Sequence, residues 1–173
     1  MKNQAHIAYC FFISISLILS SCTETTTKQI SGNWEIKASE LSQANPQYIK
    51  TDLAQLNPII KSVDTKTNEL ANQLIITATD PEKFEQVLIE FDKLQKDMQQ
   101  KMMQLNLKSS EVQNIRRQMI ESVFLSERLS KLTQKSNFDI TAPDEEYKKR
   151  FKQLQDMREM ARAELDALNK QYP

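Results

Sequence analysis

Beyond residue 22 this chain of 173 residues contains neither histidine nor cysteine, and beyond Gly32 it contains no glycine. Each absence removes a class of chemistry. The only histidine, His6, and both cysteines, Cys10 and Cys22, fall within the first 22 positions. Histidine-based triads, Cys–His nucleophiles, histidine zinc sites and Glu-x-x-His di-iron bundles therefore each lose a necessary residue. A glycine-rich phosphate cradle is missing too. Carboxylate-only catalysis is left, but long helical faces always carry many carboxylates. The expectation is a non-enzymatic protein with no metal and no cofactor. Charge of one sign is also lacking, since 23 Lys and Arg balance 23 Asp and Glu. Nucleic-acid binding needs a basic face to neutralise phosphates, and none is offered.

What is present at the start reads as a targeting segment. Lys2 supplies a positive charge, Phe11 to Leu19 form an apolar run, and Ser20, Ser21 and Cys22 close it. A cationic start, a short apolar stretch and small residues before a cut site define a secretory signal. The run is about half the roughly 20 residues that a spanning helix needs. The four residues Leu19-Ser20-Ser21-Cys22 resemble the lipobox of bacterial lipoprotein signal peptides. That resemblance covers the leader alone. It implies cleavage before Cys22, with lipid attached to the Cys22 thiol as the membrane anchor. Cys10 precedes the apolar run and is the wrong cysteine for this chemistry. Thr23 follows Cys22, where an aspartate would imply inner-membrane retention in that family. The resemblance thus implies an outer-membrane anchor with the domain facing the periplasm. Loss of the leader removes Lys2 and leaves a slightly negative chain. Cys22, carrying lipid, would then be its only cysteine, so no disulfide can form and stability must come from packing.

Three parts are expected: a signal peptide over 1–21, a lipidated N-terminus and polar tether over 22–32, and a helical domain over 33–173. The threonine-rich tether reaches roughly 35 Å at about 3.3 Å per residue. Beyond it, Asn45-Pro46, Asn57-Pro58 and Asp80-Pro81 each set a capping side chain before a proline. A residue before proline avoids the helical region, as an N-cap must, and proline at the first helical position loses no hydrogen bond. Ser110-Glu111-Val112-Gln113 reads as a capping box. Ala142-Pro143-Asp144-Glu145-Glu146 places acids at a helix's positive end. The spacing predicts short helices over 33–44 and 46–56, then long ones over 58–78, 81–106, 110–136 and 142–170.

Apolar residues recur every three or four positions along the long segments. Phe84, Val87, Phe91, Leu94, Met98, Met102 and Leu105 form one stripe. Val112, Ile115, Met119, Val123, Phe124, Leu129 and Leu132 form a broader one, and Phe151, Leu154, Ala161, Leu165, Leu168 and Tyr172 a third. Asp92/Lys96, Asp97/Lys101, Glu127/Lys131, Glu145/Lys149 and Glu146/Arg150 put an acid four residues before a base. Leu74-Ile75-Ile76-Thr77 is β-branched, but Ile60, Val63, Leu70 and Leu74 keep helical spacing. The fold class expected is all-α: an antiparallel up-down bundle of about four long helices plus two short N-terminal helices. A coiled-coil hairpin completed by dimerisation, and hence a homo-oligomer, is the alternative.

Few residues tempt a sharper reading. Met98, Met102, Met103, Met157 and Met160 could supply thioethers to Cu(I), but methionine on an apolar stripe commonly fills gaps in a core. A plastic methionine groove would suit a chaperone. Helical stress chaperones of the periplasm carry Leu-Thr-x-x-Gln, however, and Leu132-Thr133-Gln134 is too short. Trp34, the only tryptophan, reads as a cap on the end of a helical core, with a membrane-interface position as the other choice. Arg116-Arg117 and Lys148-Lys149-Arg150 read as solvated helix surface. The leading expectation is a membrane-tethered helical module that binds an envelope protein, with a chaperone-like or small-ligand-binding bundle second.

Overall fold

A computed structural model describes residues 32–133 and 142–173. The expected signal peptide, the cleavage-site residues Leu19, Ser20 and Ser21, the lipid-accepting Cys22 and the tether up to residue 31 lie outside the described residues. Within them the chain is all-helical: α1 Pro46–Thr77, α2 Pro81–Met103, α3 Ser110–Thr133 and α4 Glu145–Gln171, preceded by a single 3₁₀ turn, Ala38–Glu40.

Two of the three expected Asn/Asp-Pro starts form. Asn45 Oδ1 accepts from the N–H of Gln47 and Tyr48 (3.1 and 3.2 Å), and Asp80 Oδ1 accepts from Lys83 N–H (3.2 Å). Asn57-Pro58 does not start a helix. The two segments expected as 46–56 and 58–78 are one 32-residue helix with Pro58 inside it. An internal proline removes a backbone bond and costs about 3 kcal/mol. Leu53, Leu56 and Ile60, buried on either side of it, oppose a break, since each contributes roughly 1.5–3 kcal/mol by burial. Asn57 is drawn away from capping by a reciprocal amide pair with Asn169 (2.8 and 3.3 Å). The short helix expected over 33–44 is likewise absent; that segment runs along the 104–110 connection instead.

The first hairpin, α1 with α2, packs against the second, α3 with α4, around one shared core. Ile49, Leu53, Leu56 and Ile60 meet Met102, Met103 and Leu107, then Val112, Ile115 and Ile120, and finally Leu165. Asn57 lies beside Asn169, and seven residues further along α1, Asp64 meets Arg162, seven residues back in α4. These two helices therefore run in opposite directions. Away from this core each hairpin closes on itself. Leu125, Leu129 and Leu154 form a separate small cluster between α3 and α4, and Leu70 and Val87 are buried on α1 and α2. Two of the five acid–base pairs expected from the sequence close, while other surface pairs form in their place, such as Arg117–Glu121 and Lys152–Asp156. Asp92–Lys96 (2.6 Å) and Glu146–Arg150 (2.8 Å) form, whereas Glu145 takes Lys148 and the Asp97/Lys101 and Glu127/Lys131 pairs do not close.

Two backbone positions are tightly constrained. At Gly32 a Cβ would collide with the carbonyl oxygen of Met103 and come within 2.6 and 2.7 Å of Gln104 and Leu105 backbone atoms. Ala44 holds φ at 52°, with its N–H donated to Glu111 Oε1 (2.7 Å). An L-residue there is strained by about 1–2 kcal/mol. Glycine would release that strain but add unfolded-chain entropy of about 0.4–1 kcal/mol. Ala44→Gly is therefore expected to leave stability unchanged or raise it by up to about 1.5 kcal/mol. Gly32→Ala should lower it by about 1–3 kcal/mol. Chemical denaturation of both variants checks the pair, and an unaffected Gly32→Ala would mean that this close approach is not held in solution.

Candidate functional site

Two polar features and one cavity stand out, and they have different characters. The first feature is Arg116, a charged side chain with no solvent exposure at all. It lies on the apolar face of α3 because Val112, Arg116 and Ile120 are spaced by four, as residues on one helical face are. All five guanidinium hydrogens are placed. Nε–H and one Nη2–H go to Gln113 Oε1, the other Nη2–H to Asn33 Oδ1 (2.9 Å), and Nη1 donates to the carbonyls of Met102 (3.3 Å) and Leu105 (2.6 Å). Burial pushes the Arg116 pKa down to about 10, and Asp52 opposes the shift. The group is charged at neutral pH. The sequence reading placed Arg116 with Arg117 on a solvated surface; only Arg117 is there, 3.6 Å from Glu121. Core residues at −4, −1 and +4 from Arg116 were the signal that could have found it.

Asp52 is the complementary group, fully buried on α1. Its Oδ2 accepts from Lys108 N–H (2.8 Å), Ser109 N–H (2.7 Å) and Ser109 Oγ–H (2.7 Å). A carboxylate thus sits at the positive end of α3, where the first N–H groups of a helix lack intrahelical partners. The expected capping box does not form. Gln113 donates instead to the carbonyls of Trp34 (3.1 Å) and Ile36 (2.6 Å), because it lies inward beneath the N-terminal segment. Asn33 completes the join by exchanging two bonds with Leu107, 2.7 Å to its carbonyl and 3.0 Å from its N–H. Trp34 packs against the shared core, as a cap on its end would. This network joins three chain segments, with Asp52 Oδ1 the one buried oxygen in it that has no hydrogen-bond partner.

The cavity borders the shared core at Ile60, Met98 and Met119, with a volume of about 340 Å³, and all four helices line it. Its apolar wall comes from the stripes the sequence revealed: Ile60 and Val63, Phe91, Leu94 and Met98, Met119 and Val123, and Ala161. Its polar rim holds Asp64, Arg158 and Arg162. Arg162 donates to Asp64 Oδ2 (2.8 Å), and that pair holds the Arg162 pKa up. A second, more open groove between α1 and α4 shares Ile60, Asp64 and Arg162 with the cavity, so the ion pair stands between the two. Arg158 has no carboxylate partner among the described residues, and desolvation lowers its pKa.

Residues 50–173 match the family described as uncharacterised lipoprotein PM1805, well over half of the chain. The chain belongs to this lipoprotein family. No curated protein and no solved structure matches it. The PM1805 match takes in Asp52, Gln113, Arg116 and the whole cavity, and leaves Gly32, Asn33 and Trp34 outside. Membership agrees with the lipobox resemblance in the leader. No helix among the described residues is long and apolar enough to cross a membrane.

The methionines are not gathered into one set. Met102 and Met103 are buried in the shared core, Met98 packs against it, and Met160 is half exposed. Among the described residues no group of three or more His, Cys, Asp or Glu is placed to hold a metal ion. Lys148 and Arg150 lie on the surface, as read from the sequence; Arg150 takes its expected partner Glu146, and Lys148 takes Glu145 in place of Lys149.

The Arg116 network makes a sharp stability prediction. Arg116→Leu would orphan Gln113 Oε1 and strip a charged donor from Asn33 Oδ1 and from the Met102 and Leu105 carbonyls, which keep only the N–H groups of Leu107, Leu105 and Asn33 respectively. The orphaned acceptor costs about 1–3 kcal/mol, and the lost charge-assisted bonds beside buried Asp52 add to it, so a loss of about 3–5 kcal/mol is expected. Arg116→Lys should recover less than half of it, because one ammonium offers three donors in place of five and no planar fork. Urea midpoints of the three proteins check this; full recovery by lysine would show that charge alone matters.

Proposed function

We propose that this lipoprotein is a non-enzymatic binding module of the cell envelope. In this reading the leader is cut after Leu19-Ser20-Ser21 and the domain is held by lipid on Cys22 at the outer membrane, facing the periplasm. Its helices form an antiparallel up-down bundle, and it acts by engaging another envelope protein, with no nucleic acid and no cofactor involved. The observation that carries this reading is that five of the nine exposed large apolar side chains among the described residues, including the three most exposed, lie on the first hairpin near its turn. Ile75 and Ile76 are 77% and 78% exposed, Ile89 is 62% exposed, and Phe84 and Leu88 are partly uncovered. All five flank the 78–80 turn of the first hairpin. Large apolar side chains gathered in one region of a surface mark interaction sites more often than they occur by chance.

Their position supports a protein partner over the anchoring bilayer. The N-terminal segment joins the bundle at the Arg116 end, where Gly32 and Asn33 meet residues 103–107. The 78–80 turn is at the other end of α1, roughly 48 Å away at 1.5 Å per residue. A domain tethered at one end carries its apolar tip away from the membrane. A chaperone-like bundle is the second reading, favoured by the same exposure and by the methionine-lined cavity wall.

In-cell photo-crosslinking of the lipidated protein from position 89 tests this. One dominant envelope protein is expected, and Ile76→Glu should abolish its capture while leaving Arg116-end stability intact. Many weak and unrelated partners would favour the chaperone reading. Self-crosslinks alone would overturn the proposal.

A further inference from the structure

We propose that the interhelical cavity is a binding site for a single-chain amphiphile with an anionic headgroup, a free long-chain fatty acid being the fitting class. This goes beyond the protein-partner reading and does not depend on it. The cavity has three properties that specify its occupant. Its wall is apolar over the span from Phe91 through Leu94 to Met98 and across to Met119 and Val123. Its volume of about 340 Å³ is at the lower end of small-ligand pockets, roughly 300–1,000 Å³, which suits one chain and not two. Its rim carries two cations and one acid, and the acid is already used. Asp64 is paired with Arg162 at 2.8 Å, so Arg158 is the cation left over.

Charge complementarity therefore selects the ligand. A neutral amphiphile would leave Arg158, exposed at the rim, without a partner, and a cationic one would meet it head on. A carboxylate can take two parallel N–H bonds from the guanidinium while its alkyl chain replaces water along the apolar wall. Met98 and Met119 add adaptable walls, since thioether side chains reshape around irregular occupants.

Photolabelling of the full lipidated chain in bilayers with a diazirine analogue of palmitate provides the test. Label is expected on peptides carrying Met98, Met119 and Val123, and excess palmitate should compete it away. Arg158→Gln should weaken palmitate competition roughly ten-fold, the effect of losing one charged hydrogen bond. Labelling by the matching hexadecanol probe should be unchanged. Ala161→Phe, which fills the cavity, should remove labelling by both probes with helicity retained by circular dichroism. Label confined to Ile75, Ile76 and Ile89, or insensitive to Arg158→Gln, would overturn the proposal. So would labelling of the same cavity peptides by photoreactive phosphatidylglycerol of the bilayer and not by free palmitate, because the occupant would then be a membrane lipid.

Discussion

A guanidinium removed from water must find acceptors for five hydrogens, and in this protein the acceptors of Arg116 come from three separate stretches of chain. Gln113 is on its own helix, Met102 and Leu105 are at the end of α2, and Asn33 is in the N-terminal segment. Burying the charge therefore fixes how α2 ends, how α3 begins and where the N-terminal segment lies. Asp52 does the same from the opposite polarity. Its carboxylate faces the N–H groups that open α3, while Arg116 faces the carbonyls that close α2. Each buried charge is thus set against the helix end of opposite sign, and the pair is close to neutral as a unit.

The scarcity of glycine gives this arrangement its meaning. Helices commonly end on a glycine whose left-handed backbone satisfies the last carbonyls. The α2–α3 connection, residues 104–109, has no glycine to use. Arginine side-chain donors take the place of those backbone bonds, and Asn33 pairs with Leu107 much as a neighbouring strand would. Ala44 shows the same constraint differently. It adopts a positive φ that glycine would take freely, held there by Glu111 and by the start of α1. The one glycine in the described chain, Gly32, is placed where backbone approaches backbone too closely for any side chain.

Periodicity made the helices legible, because burial of a stripe follows from 3.6 residues per turn whatever the partner. The starts at Pro46 and Pro81 and the core roles of Val112, Ile115, Leu154, Ala161 and Leu165 were readable for that reason. What escaped was decided by tertiary partners. Asn57-Pro58 carries a valid local start signal, but the local preference is outweighed by burial on both sides and by Asn169, which is 112 positions away. Gln113 looked like a capping residue until the N-terminal segment offered two carbonyls. Arg116 and Asp52 are charges on apolar faces. Reading them as buried requires knowing that acceptors and donors will converge on them from elsewhere. The cavity was half legible: its wall residues belong to visible stripes, but the unequal pairing of Arg158 and Arg162 depends on which helix supplies Asp64.

Stability is consequently unevenly distributed, and this bears on function. The two charged hubs, the shared core and the glycine contact are all at one end of the molecule, where residues 32–34 join the bundle. At the other end each hairpin relies on a few buried side chains of its own, Leu70 and Val87 in one, Leu125, Leu129 and Leu154 in the other. Regions with few buried contacts open at lower free energy than the global unfolding. The exposed isoleucines are in that less consolidated half, and the cavity lies where the shared core gives way to it. A binding surface needs room to adjust, and a tethered domain needs a firm point of attachment. Under the proposed function, concentrating polar satisfaction where the N-terminal segment joins would meet the second need and leave the far end free to meet the first.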